Sequence, residues 1–139
     1  MALVQRLQTR PQFQAALGGV IVAKTPHFAL HRNSLDATAL RSADSATTQQ
    51  PALFPVRDIW LGAMVPKRWA RRAVTRNAIK RQIYAVSADF QHLYPQAAFV
   101  VRLRRDFSRA EFVSATSPQL RSAVRLELQS LLQAGAAAP

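Results

Sequence analysis

The segment VPKRWARRAVTRNAIKRQIYAV, from Val65 to Val86, decides the fold, because it joins a run of cations to a spaced set of apolar residues. At about 100° per residue, Ile79, Ile83, Val86 and Phe90 lie within about 60° of one another, which predicts the buried face of an amphipathic helix. The segment contains no carboxylate, and its cations are Lys67, Arg68, Arg71, Arg72, Arg76, Lys80 and Arg81. A helix with a strongly basic exposed side is therefore expected at the centre of the chain.

The exposed side of this helix is predicted to bind a polyanion. An arc of roughly 140° beside the apolar face holds Arg76, Asn77, Lys80, Arg81 and Tyr84 and no acidic residue. Solvated helix faces usually mix signs, because like charges four residues apart cost a few tenths of a kcal/mol. Cations near a helix N-terminus also oppose the macrodipole, at about 0.3 to 1 kcal/mol each. A sequence that accepts both costs favours phosphate binding over a merely solvated face.

Length and composition indicate one basic domain over residues 1–139. The chain has 139 residues, a hydrophobic fraction of 49% and a formal net charge of +12, so it can build one core, and nucleic acid is its leading partner. It has no cysteine, and the spacing of His27, His31 and His92 matches no metal motif, so no metal site is predicted. No apolar run approaches the roughly 20 residues of a membrane span, so a cytoplasmic protein is expected.

The segments before and after the basic helix predict a small α+β sandwich. Residues 9–17 indicate a short helix with Thr9 as N-cap, Gln12 closing a capping box and Gly18-Gly19 ending it. Strands are predicted at residues 20–32, 57–65 and 97–104, with an edge or a break at Pro26 and with burial of the third strand on both faces. The basic helix lies between the second and third strands, and helices flank the sheet at both ends of the chain.

The C-terminal part of the chain predicts another amphipathic helix. It begins with Ser117 as N-cap and Pro118 at the first helical position, and its buried stripe is Leu120, Val124, Leu128 and Leu131. A frayed tail is expected at residues 134–139. Residues 33–55, rich in Ser, Ala, Thr and Gln without any period, are expected to form a flexible insertion within the domain.

Around the basic helix the sequence LGAMVPKRWARRAVTRNAIKRQI resembles the bacterial ribonuclease P protein component. That family has a basic pair, a short spacer and then the pattern A..RNRIKR on a helix. The matching residues here are Lys67, Arg68, Ala73, Arg76, Asn77, Ile79, Lys80 and Arg81. Shorter matches occur before and after the basic helix, in the same order along the chain as in the family. They are Arg10, Phe13 and Gln14; Phe28 and Leu30; Leu61, Gly62 and Val65; and residues 99–101.

The resemblance implies the protein subunit of a ribozyme. It implies a fold like domain 2 of ribosomal protein S5, with a mixed sheet and a strand–helix–strand crossover. It also implies a monomer bound one-to-one to ribonuclease P RNA, which removes the 5′ leader of precursor tRNA using Mg²⁺, with no catalytic residue in the protein. The implied RNA-binding residues are Lys67, Arg68, Arg71, Arg72, Arg76, Asn77, Lys80, Arg81 and Tyr84. The implied leader-binding cleft consists of Phe13, Leu17, Phe28 and His31.

This chain departs from the family pattern at several positions, and other functions stay open. Ala78 stands where the family usually has a second arginine, and His31 and Leu17 stand where aromatic residues are often found. Phe13 and Phe28 could equally be core residues. A ribosomal or general RNA-binding module is the main alternative. An autonomous nuclease is disfavoured, because the chain has no glycine-rich phosphate loop and its carboxylates are scattered.

Overall fold

The computed structural model describes residues 5–35, 54, 57–107 and 118–137. In that part of the chain the strands are β1 (Gln5–Arg6), β2 (Val20–Lys24), β3 (Phe28–Asn33), β4 (Trp60–Met64) and β5 (Ala98–Leu103). The helices are α1 (Arg10–Leu17), α2 (Ala73–Phe90) and α3 (Pro118–Ala136), and a short 3₁₀ turn, Gln91–Leu93, follows α2. The predicted α+β class is confirmed.

The strands form one mixed sheet in the order β1-β4-β5-β3-β2. β4 pairs in parallel with β5, from Trp60 opposite Ala98 to Met64 opposite Arg102, and α2 connects the two strands. β3 runs antiparallel to both β5 and β2. The predicted crossover through the basic helix is therefore confirmed, and it fixes α2 against one face of the sheet.

Helices cover both faces of the sheet. On one face α2 and α3 pack over Leu30, Leu61 and Val101, and the predicted stripes of both helices are buried there, with Phe90 half-buried at the end. On the other face α1 contributes Ala16 to a smaller cluster that includes Trp60. Every residue of β5 except Arg102 is buried, as predicted for a central strand that is covered on both sides.

The N-terminal helix begins as the sequence predicts. Thr9 accepts a hydrogen bond from the Gln12 backbone at 3.3 Å, and the Gln12 side chain accepts one from the Thr9 backbone at 3.2 Å. This capping box satisfies donors that the first turn of a helix leaves without partners. Gly18 follows the last residue of α1, also as predicted.

The predicted break at Pro26 is confirmed, and residues 20–32 form a hairpin of β2 and β3 instead of one continuous strand. The chain turns between Lys24 and Phe28, where Pro26 has no backbone N–H for a sheet. Thr25 donates its backbone N–H to the carbonyl of Phe28 at 2.9 Å and closes the turn. β2 lies at the edge of the sheet.

The ends of the predicted insertion belong to the folded core. Asn33 is the last residue of β3, and its side-chain amide donates to the carbonyl of Ala15 at 2.8 Å. Phe54 is buried, with its ring 5.5 Å from that of Trp60. Residues 36–53, for which flexibility is predicted, lie outside the described residues, as does the predicted N-cap Ser117.

The C-terminal helix continues beyond the point at which fraying is predicted. α3 ends at Ala136, and Gly135 is buried so closely that an added Cβ would lie 2.6 Å from Leu30 Cδ2 and from Tyr94 Oη. The Tyr94 hydroxyl donates to the carbonyl of Leu132, and burial raises the pKa of Tyr94 to about 12, so that it remains a donor. These contacts hold the last turn of α3 against the sheet.

Gly62 in β4 is expected to be essential for the packing of α1. An added Cβ would lie 2.8 Å from both Phe13 Cζ and Leu7 Cδ1. We expect Gly62→Ala to lower the free energy of unfolding by about 1 to 3 kcal/mol through overpacking. Phe13→Leu should recover part of that loss in the double variant, as measured by urea unfolding.

The matched control for this substitution is Gly18→Ala. Gly18 has φ of −74°, which alanine adopts freely, and an added Cβ would lie 3.3 Å from the nearest atom, the carbonyl oxygen of Gln14. We expect a change below about 1 kcal/mol there. Equal losses at Gly62 and Gly18, or strict additivity of Gly62→Ala and Phe13→Leu, would contradict this account of the α1 contact.

Candidate nucleic-acid interface

The cations of the central segment lie on two consecutive parts of the chain. They lie on α2 and on residues 66–72, which lead into it from the end of β4. Lys67, Arg68, Arg71, Arg72 and Arg81 are exposed, together with Asn77, whereas Arg76 and Lys80 are half-buried. We call these seven cations the α2 basic surface. Within the described part of the chain, Glu127 contacts His27 and Asp89 pairs with Arg125, and no carboxylate pairs with a cation of this surface.

The N-terminus of α2 adds to the positive potential of this surface. Arg72 is the N-cap, and its side chain makes no capping hydrogen bond. The first turn also contains no acidic residue. Backbone N–H groups at a helix start carry the positive end of the macrodipole, and they bind anions such as phosphate. The unfavourable interaction of these cations with the helix macrodipole, expected from the sequence, is therefore present in the structure, and no capping side chain offsets it.

Arg76 supports the surface in a way that the sequence does not predict. Its Nη1 donates to the carbonyl of Ala70 at 3.1 Å and to the carbonyl of Arg71 at 2.8 Å. The guanidinium thus holds the loop before α2 in shape. Arg76 still contributes charge, but removing it would also disturb the loop that presents Arg71.

The predicted exposure of Tyr84 is wrong, because the side chain is half-buried and already has contacts. Its hydroxyl accepts a hydrogen bond from the backbone N–H of Ala63 at 3.2 Å, and its ring packs against the main core. The guanidinium of Arg6 lies 4.1 Å from the ring centroid, in a cation–π contact. The helical wheel places Tyr84 on the polar arc but contains no information about β1, which supplies Arg6.

Arg6 is a cation of this region that the sequence analysis missed. It is exposed at the end of β1, which pairs in parallel with β4, and its contact with Tyr84 brings its charge beside α2. β1 has only two residues, too few for any period to be visible. No pattern in the sequence signals that this N-terminal arginine meets the central helix.

The predicted leader-binding cleft is only partly assembled. Phe13, Leu17 and His31 lie on the side of the sheet that α1 covers, and the implied placement of Phe28 in the same cleft is wrong. Phe28 is 0% exposed in the core on the opposite side, where its ring lies 5.9 Å from that of Phe107. Residues three apart in a strand point to opposite faces, so Phe28 and His31 cannot share one surface.

β4 and β5 also contribute residues to the side of the sheet that α1 covers, and Arg102 of β5 contacts His31 there. We call Phe13, Leu17, His31, Met64 and Arg102 the α1-side surface. Arg102 Nε donates to His31 Nε2 at 3.2 Å, and His31 is only 7% exposed. Burial lowers the pKa of His31 below its usual value, as do the charges of Arg102 and Lys24, while the carbonyl of Leu17 acts in the opposite direction.

The described residues contain neither a cluster of metal ligands nor a membrane-spanning helix. No group of three or more His, Asp or Glu side chains there is close enough to hold a metal ion, so these residues do not fit Mg²⁺. No helix in the described ranges is long and apolar enough to cross a membrane.

The fold and the basic surface define a class of protein, a small α+β domain whose α2 basic surface is not neutralised by any carboxylate of the described residues. Comparison with known proteins identifies the family. The model of the family described as Ribonuclease P matches residues 1–132, and the chain belongs to this family.

Individual relatives agree with the family model. The ribonuclease P protein component of Trichormus variabilis is 35% identical over 96 residues, which is 67% of this chain and 66% of the relative. The Nostoc protein of the same name is 32% identical over 95 residues, with the same coverage. The chain thus spans just under two thirds of the length of these relatives. The solved RNase P protein of Staphylococcus aureus shares the fold, with a TM-score of 0.63 and 18% identity over 94% of each chain.

Proposed function

We propose that this protein is the protein subunit of ribonuclease P. It binds ribonuclease P RNA, and the complex removes the 5′ leader from precursor tRNA in the cytoplasm, with one protein for each RNA. The observation that carries the proposal is the α2 basic surface, which no carboxylate of the described residues neutralises, in a chain of the ribonuclease P family.

The protein acts by positioning and by charge neutralisation in this proposal. Exposed arginines such as Arg71, Arg72 and Arg81 offer planar sets of donors that match phosphate oxygens, and the uncapped start of α2 adds backbone donors. Mg²⁺ and the hydrolytic chemistry that it supports are assigned to the RNA. The precursor leader is assigned to the α1-side surface, where Phe13 offers a ring for base stacking.

Reconstitution with ribonuclease P RNA tests the proposal. At low Mg²⁺ concentration, we expect the purified protein to raise the rate of precursor-tRNA cleavage by on the order of 10-fold or more, which corresponds to about 1.4 kcal/mol of barrier. The measurement is single-turnover cleavage of a labelled precursor with RNA alone, with protein alone and with both.

The outcomes separate the functions that the sequence leaves open. Cleavage by protein alone would identify a nuclease and overturn the proposal. Binding to the RNA without any rise in cleavage would identify a general RNA-binding module. An equal rise with a variant in which Arg71, Arg72 and Arg81 are replaced by glutamine would show that the α2 basic surface is not the interface.

A further inference from the structure

Arg102 is a cation placed among mostly apolar neighbours on the α1-side surface. It lies in β5 opposite Met64 of β4 and Ala29 of β3, and its strand neighbours Val101 and Leu103 point into the main core. No carboxylate of the described residues pairs with it, and its described side-chain partner is His31. Burying a charge without a counter-ion costs free energy, so a half-buried guanidinium of this kind favours the binding of an anion.

The contact with His31 uses one nitrogen of Arg102, and no described residue makes a hydrogen bond with the other two. Arg102 Nε donates to His31 Nε2 at 3.2 Å, so the imidazole must be neutral and must carry its acceptor on Nε2. The fork formed by Nη1 and Nη2 is then fixed in direction, which is the geometry that binds two phosphate oxygens.

The surroundings of His31 favour this neutral form. β5 contributes the charge of Arg102, β2 contributes the charge of Lys24, and α1 contributes the uncharged carbonyl of Leu17. Burial and the two cations keep the pKa of His31 below its usual value, and the carbonyl of Leu17 only partly opposes them. Protonation would turn Nε2 into a donor and would place a third positive charge beside Arg102 and Lys24.

We propose that His31 is a positioning residue which, in its neutral form, holds the Arg102 guanidinium in place to bind a phosphate of the precursor leader. The inference rests on the proposed function. It specifies how a surface with few aromatic residues binds a single strand, through one oriented phosphate contact on the same side of the sheet as the Phe13 ring. His31 is too buried to reach the leader itself, so its protonation removes the orientation of Arg102 without adding a contact.

The test uses the reconstituted holoenzyme and the ratio of its affinities for precursor and mature tRNA. We expect Arg102→Gln to reduce this leader preference by roughly 10-fold, the scale of one charge-assisted hydrogen bond. His31→Leu should reduce it by a smaller factor, because Arg102 remains but is no longer oriented. His31→Gln, which offers an amide oxygen in place of Nε2, should restore most of the preference at pH 8.

The pH profile separates positioning from a structural role. Because the pKa of His31 lies below the usual histidine value of about 6.5, the wild-type preference should stay constant from pH 8 down to that value and weaken only as the pH falls further. The preference of His31→Gln should not show this weakening, because the glutamine amide does not titrate. A structural role alone would lower the melting temperature of His31→Leu without making the wild-type preference depend on pH.

Each failure has its own meaning. A wild-type holoenzyme with no leader preference at any pH would overturn both this inference and the assignment of the leader to the α1-side surface. A wild-type preference that survives in Arg102→Gln, or a pH dependence that survives in His31→Gln, would overturn this inference alone.

Discussion

Ile83→Asp is expected to abolish folding. Ile83 is 0% exposed in the middle of α2, where it packs with Ile79 and Val86 against the sheet. A carboxylate without a partner at such a site costs several kcal/mol, whether it stays charged or takes up a proton. A domain of this size has a total stability of about 5 to 15 kcal/mol, so the loss removes most or all of it. Circular dichroism during urea titration should show no cooperative transition for the variant.

Ala85→Asp provides the matched control, because it introduces the same charge two residues further along the same helix. Ala85 is exposed, so its carboxylate stays in water. We expect a change in the free energy of unfolding within about 0.5 kcal/mol. Similar urea midpoints for the two variants would mean that the buried face of α2 is not the one formed by Ile79, Ile83 and Val86.

The elements that the sequence predicts correctly are those whose signals are local. The apolar stripe of α2 and that of α3 recur at helical spacing, and each helix buries the face that its own period indicates. The capping box of Thr9 and Gln12 is complete within four residues. The position of the basic helix between two strands follows from the order of the elements, whereas the crossover that it forms between them is implied by the family resemblance and shown by the parallel pairing of β4 with β5.

The errors occur where the answer depends on segments that are distant in sequence. Tyr84 belongs to the polar arc of α2 by angle, but Ala63 and Arg6 from two different strands cover it. Arg102 lies in a strand that is buried on both faces, so its apolar neighbours do not show which side it faces. That side is fixed by pairing with Ala29 and Met64, which only the assembled sheet defines.

The error at Phe28 has a different cause, because the sequence did contain the relevant signal. Phe28 and His31 are three residues apart in one strand, and this odd separation alone places them on opposite faces. Assigning both to one cleft followed the resemblance instead of the strand period. The structure supports the alternative stated for Phe28, a core residue, while Phe13 remains on the α1 side.

Binding to ribonuclease P RNA is expected to be strongly salt-dependent, because phosphate contacts dominate it in our proposal. With about five to seven cations engaged, the logarithm of the association constant should fall against the logarithm of salt concentration with a slope near −4 to −6, since each contact contributes about −0.7 to −0.9. Between about 50 and about 200 mM salt, such slopes weaken binding by roughly 300- to 4,000-fold. A wild-type slope shallower than about −2 would contradict the electrostatic account.

Two triple variants of equal net charge locate the contacts. Arg71, Arg72 and Arg81 are exposed on the α2 basic surface, and Arg10, Arg105 and Arg121 are exposed elsewhere. Arg76 is left unchanged because its guanidinium holds the loop before α2. Glutamine at the first three positions should flatten the salt slope by about 2 to 3 units, whereas glutamine at the second three should change it by less than about 1.

The two variants lose the same charge. A general attraction between a cationic protein and RNA therefore predicts equal changes of the salt slope, and only a localised interface on α2 predicts a difference. Filter binding or fluorescence titration over a series of salt concentrations, with unchanged melting temperatures for both variants, decides between the two.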